Sequence, residues 1–129
     1  MGDKMVVVKL RPDAAVTFDR ERLDQLYAEL GRSGADDVIS KAMEELAVRL
    51  AKVGNAHKKG DFPQVQKSAR SMIAISDQIG MVTLARVAGA VNELAQSGDY
   101  VALAACVSRL VRIGENSLLA IWDHQGASL

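Results

Sequence analysis

Cysteine, aromatic side chains and net charge are all scarce in this chain, and each shortage removes a class of protein. A single cysteine in 129 residues cannot close an intrachain disulfide, so oxidation does not staple the fold. Aromatic residues make up 4% of the chain and hydrophobic residues 49%. The core is therefore aliphatic and alanine-rich, which favours close-packed helices over a β-sandwich and excludes a disordered tail. Sixteen basic residues balance sixteen acidic ones, leaving no net field to draw in nucleic acid or an anionic membrane. The apolar run Met5, Val6, Val7, Val8 is interrupted by Lys9, too soon for a signal peptide or a membrane span. The expectation is a soluble, cytoplasmic, single-domain protein with neither a membrane nor a nucleic acid as partner.

What is present is helical periodicity. The run at Met5–Val8 has strand character without an obvious partner strand, so residues 1–18 read as an extended arm lying on the bundle or on a neighbouring molecule. After Pro12 the apolar spacing is helical. Asp19 can cap a short helix with Leu23, Leu26, Tyr27 and Leu30 on one face, ended by Gly31 and Gly34. A second helix is expected over about residues 36–52, with Ile39, Ala42, Met43, Leu46, Leu50 and Val53 as its stripe, and residues 54–60 break the pattern. Asp61 starts the third helix, with Pro63 in the first turn, where no intrahelical N–H bond is needed. Phe62, Val65, Ala69, Met72, Ser76 and Ile79 of that helix face the core. Gln66, Arg70, Ala74 and Asp77 share an outer flank, with Lys67 beside them, so Arg70 should be exposed. Gly80 marks a junction before a stripe of Leu84, Val87, Ala88, Val91, Leu94 and Ala95. Ser97, Gly98 and Asp99 then end one helix and cap the next, which carries Ala104, Val107, Val111, Leu118 and Trp122. These elements predict an all-α, antiparallel up-and-down four-helix bundle with a short extra N-terminal helix as a lid.

Residues 68–80 say most about function. They read Ser-Ala-Arg-Ser-Met-Ile-Ala-Ile-Ser-Asp-Gln-Ile-Gly, and Leu84, Ala85, Ala88 and Val91 continue at helical offsets before Gly98 and Asp99 open the next helix. On these residues the chain resembles the histidine phosphotransfer (HPt) domain family over roughly residues 19–112. The family pattern runs Ala-His-x-x-Lys-Gly, a glycine ten positions after the histidine, then Leu-Ala, Ala and Leu-Glu. Ala69, Gly80, Leu84, Ala85, Ala88 and Val91 occupy matching slots. Arg70 takes the histidine slot, Ile73 the lysine slot, Ala74 the glycine slot and Asn92 the glutamate slot. The resemblance implies an HPt-like bundle over residues 19–125 and a place in a bacterial two-component phosphorelay, with a response-regulator receiver domain or a histidine kinase as partner.

The departures from the pattern remove the chemistry. Phosphotransfer needs a nucleophile whose neutral form is abundant near neutral pH, which imidazole provides. A guanidinium stays charged and has no free lone pair with which to attack phosphorus, and an isoleucine at position 73 cannot balance phosphoryl charge. The expected activity is therefore partner binding without catalysis or cofactor, through Gln66, Lys67, Arg70, Ile73, Ala74 and Asp77, with Arg70 entering a receiver's acidic pocket. Arg70 as a plain solvated arginine is the bland alternative. Two other readings stay open: an active phosphotransfer protein using His57, which stands in Ala-His-Lys-Lys-Gly on an expected loop, and a structural or oligomer-forming bundle. Lys52, Lys58 and Lys59 read as a solvated helix end. Cys106 reads as a packed thiol, and Cys106, His57 and His124 show no metal-ligand spacing. The five methionines read as core filler, with Met72 and Met81 also candidates for an adaptable contact near Arg70. The oligomeric state is left open.

Overall fold

The structure is a computed structural model that describes the backbone over residues 5–8 and 16–127 and the side chains over residues 17–121. Strands β1 (Met5–Val8) and β2 (Val16–Asp19) precede helices α1 (Arg20–Lys59), α2 (Phe62–Gln78), α3 (Val82–Ser97) and α4 (Tyr100–Ala127). The helices are joined by two, three and two residues, too few to cross the molecule, so successive helices run antiparallel. Each packs on its sequence neighbours and α4 closes onto α1, giving the expected up-and-down four-helix bundle. The core is mainly aliphatic, with Ile39, Leu46, Val65, Met72, Leu84, Leu103 and Leu110 buried alongside Phe18 of β2.

Side-chain caps set the helix starts. Asp19 accepts from the Arg22 N–H and Asp61 from the Gln64 N–H, each at 3.2 Å, and Asp99 accepts from the Ala102 N–H at 3.1 Å. Each satisfies a donor that the first helical turn leaves without an intrahelical partner. Pro63 lies in the first turn of α2.

Three local expectations are corrected. The run Met5–Val8 does have a partner strand: it pairs antiparallel with Val16–Asp19, Val6 opposite Phe18. Helical structure begins only at Arg20, because Val-Thr-Phe is β-branched and aromatic and fits a pleated surface. Successive N–H groups of a strand point to opposite edges. The Thr17 N–H therefore donates to Thr83 Oγ1 at 2.7 Å and the Asp19 N–H to Gly80 O at 2.6 Å, which fastens β2 to the α2–α3 corner. Residues 1–4 and 9–15 of the expected arm lie outside the described residues.

The second correction concerns α1. The short first helix is there, but it meets the long one directly at a kink, where Gly31 takes φ 71° and ψ 174°, a region open essentially to glycine alone. Gly54 does not end the long helix, since an isolated interior glycine costs only about 1 kcal/mol. The chain turns at Gly60 (φ 72°), where the Asp61 N–H reaches back to Ala56 O at 2.9 Å in the manner of a left-handed cap. The third correction is the face of α4. Leu103, Val107, Leu110, Ile113, Ser117 and Ile121 are buried, Ala104 is exposed, and Val111 and Leu118 are only half-buried. The side chain of Trp122 lies outside the described residues.

Candidate functional site on the flank of α2

Helix α2 turns Val65, Ala69, Met72 and Ser76 into the core. Position 70, one residue on from Ala69, therefore falls on the outer surface, and Arg70 is exposed. Its guanidinium is braced from two helices: Nε donates to Asn92 Oδ1 on α3 and Nη2 donates to Gln66 Oε1 one turn back on α2, both at 3.3 Å. Neither partner is charged, so the cation is oriented without being neutralised. The register between α2 and α3 that allows this bridge is set by the turn at Gly80, where Met81 N–H bonds to Ser76 O at 2.8 Å.

The six expected site residues do not form one patch. Gln66 and Arg70 are brought together, and Ile73 sits half-buried toward α3, its Cδ1 3.9 Å from where a Cβ at position 89 would stand. Ala74 and Asp77 are exposed beside them. Lys67 instead lines a groove between α1 and α2 with Arg49 and Lys52. Asn92 is the residue missing from the expected set. The resemblance aligns it with a glutamate of the HPt pattern, and that was the available signal.

The remaining reactive groups lie elsewhere. His57 is in the last turn of α1 rather than on a loop, half-buried. It lines a cavity of 430 Å³ between α1 and α4 with Lys58, Val107, Ser108 and Arg112, on the opposite side of the bundle from the α2/α3 flank. Cys106 is half-buried with its thiol 4.0 Å from Val87 O. Burial pushes its pKa up, and the nearby Arg109 only partly offsets this, so it stays a thiol near neutral pH. Met72 and Met81 are fully buried and offer no contact at the Arg70 surface. Among the described residues no group of three His, Cys, Asp or Glu could hold a metal ion, and none of their helices is long and apolar enough to cross a membrane. The side chain of His124 lies outside the described residues.

No protein-family model, curated protein or solved structure matches the chain. Fold and site together define a class, a four-helix bundle that presents a braced, un-neutralised arginine on one flank.

Proposed function

We propose that the protein is a non-catalytic, HPt-like binding module, and that its α2/α3 flank docks on the acidic pocket of a receiver domain in a two-component relay. The observation that carries this reading is the bracing of Arg70 by Gln66 and Asn92 at the position where the resemblance puts the phosphoacceptor. A guanidinium has five donors in a planar fork suited to carboxylates. Two of its N–H groups are engaged by neutral amides, so the side chain is held in place before a partner arrives, which lowers the ordering cost of binding. The exposed Ala74, one turn on, leaves room for a partner's backbone.

The module competes for a receiver or scaffolds it, and takes no phosphoryl group from it. Calorimetric titration against a cognate receiver tests the reading. Truncating one member of a desolvated interfacial charge pair costs about 2–5 kcal/mol, so Arg70→Ala should weaken binding at least about tenfold, and Asn92→Ala by less. The unphosphorylated receiver should be preferred, because a phosphoryl group and its metal would fill the space the guanidinium takes. Equal affinity of wild type and Arg70→Ala sinks the proposal, as does acid-labile label appearing on this chain after incubation with a phosphorylated receiver.

A further inference from the structure

The groove on the other side of α2 presents a different chemistry. It lies between α1 and α2, has a volume of 140 Å³, and is lined by Arg49 and Lys52 from α1 and by Gln64, Lys67, Ser68 and Ser71 from α2. The α2 residues recur at the spacing that faces a helix neighbour, yet all four are polar. Three cations converge here with no carboxylate in the lining, in a chain whose total charge is zero. The charged side-chain ends of Arg49, Lys52 and Lys67 make no hydrogen bond or ion pair among the described residues, although Asp and Glu are as numerous as Lys and Arg in the chain. Like charges gathered along one seam repel one another, and a bound anion relieves that repulsion.

The floor of the groove supplies donors. Ser68 is buried, and its Oγ accepts from Gln64 Nε2 at 3.1 Å while donating to nothing among the described residues, so its proton is available. Gln64 is held at the start of α2 by its backbone bond to Asp61 Oδ1, and its amide has a second hydrogen to offer. Ser71 spends its own proton on Lys67 O at 3.2 Å and is not counted among the donors. A water occupies roughly 30 Å³ in the liquid, so the cavity has room for a tetrahedral oxyanion with some of its hydration.

We infer that the α1/α2 groove is a binding site for a phosphate dianion, either free or as the terminal group of a small phosphate ester, held by Arg49, Lys52 and Lys67 with Ser68 and Gln64 beneath. The site is independent of the Arg70 flank, so receiver binding can fail while this site stands. Backbone amide NMR titrations at constant ionic strength test it, with inorganic phosphate, glycerol phosphate and chloride as probes. Inorganic phosphate should shift the amides of residues 49, 52, 64, 67 and 68 saturably, and chloride should not. Tighter binding of glycerol phosphate would identify an ester as the ligand, and equal binding a free anion. Lys67→Gln changes an exposed side chain and should weaken binding about fivefold. Arg49→Gln should do the same if it folds, and Lys41→Gln, further along α1, should change nothing. Non-saturable shifts, equal shifts with chloride, or unchanged binding in Lys67→Gln would each overturn the inference.

Discussion

Replacing Gly80 by alanine should damage this protein more than replacing any other left-handed glycine at a helix end, and the structure says by how much. Gly80 has φ 73°, a conformation that costs an L-residue about 1–2 kcal/mol. Gly60 and Gly98 share that conformation, at φ 72° and 78°, and their Cβ atoms would meet open space. A Cβ at position 80 would stand 2.9 Å from Asp19 O and 3.2 Å from the Cβ atoms of Asp19 and Arg22. The obstacle is backbone, and the same backbone is tied to Gly80 O through the Asp19 N–H. Relief would move the β2–α1 junction off the α2–α3 corner and strain the Arg22 Nε bond to Gln78 O, now 3.0 Å. Overpacking of this kind adds about 1–3 kcal/mol. Gly80→Ala should therefore lose about 2–5 kcal/mol, and Gly60→Ala only about 1–2 kcal/mol. Urea unfolding followed by circular dichroism, with midpoints compared at constant slope, measures the difference. Amide exchange locates it, since Asp19 should lose protection in Gly80→Ala and keep it in Gly60→Ala. Equal losses in the two variants would show that the close approach at Gly80 carries no energy and that the hairpin is not fastened there.

Gly31→Ala forces a non-glycine residue into φ 71°, ψ 174° and should cost about 1–3 kcal/mol, with the kink between residues 30 and 32 straightening in a crystal structure of the variant. Ala69→Leu and Ala88→Leu each insert three carbons where no surface is exposed and should lower the thermal midpoint by an amount matching about 1–3 kcal/mol. Cys106 should react with a disulfide reagent more slowly than free cysteine near neutral pH and accelerate as pH rises past the ordinary thiol range, because burial raises its pKa. Through the same shift the folded chain holds that proton longer than the unfolded one, so stability is unaffected at lower pH and falls as pH rises between the two values.

The bundle was legible where polar and apolar residues alternate sharply around a helix. In α2 the polar flank from Gln66 to Asp77 leaves one possible inner face, and Val65, Ala69, Met72, Ser76 and Ile79 are all buried as the spacing demands. Helix α4 lacks that contrast. It carries Val101, Leu103, Val107, Leu110, Val111, Leu118 and Leu119 around most of its circumference, and a stripe drawn through Ala104 and Val111 fits the period as well as one through Leu103 and Leu110. Only the neighbouring helices decide, and they leave Val101 86% exposed and Leu119 53% exposed. The hairpin was obscured for a related reason. Four residues are too few to separate period 2 from period 3.6, and β2 is defined as much by its bonds to Thr83 and Gly80, more than sixty residues away, as by anything local.

The candidate site shows a subtler limit of the same kind. Periodicity places a side chain on a flank of its helix but does not say which neighbour that flank meets. Lys67 follows Gln66 in the chain and lies about 100° further round the helix, which is enough to carry it from the α3 seam to the α1 seam. Gln66 thereby joins Arg70 and Asn92, and Lys67 joins Arg49 and Lys52. A single outer face read from sequence thus becomes two polar seams with different contents, one offering a braced arginine beside neutral amides and the other three unpaired cations over a buried hydroxyl. Because the two seams share no side chain, Arg70→Ala should leave phosphate binding intact and Lys67→Gln should leave receiver binding intact, apart from the small coupling of two cations three residues apart on one helix.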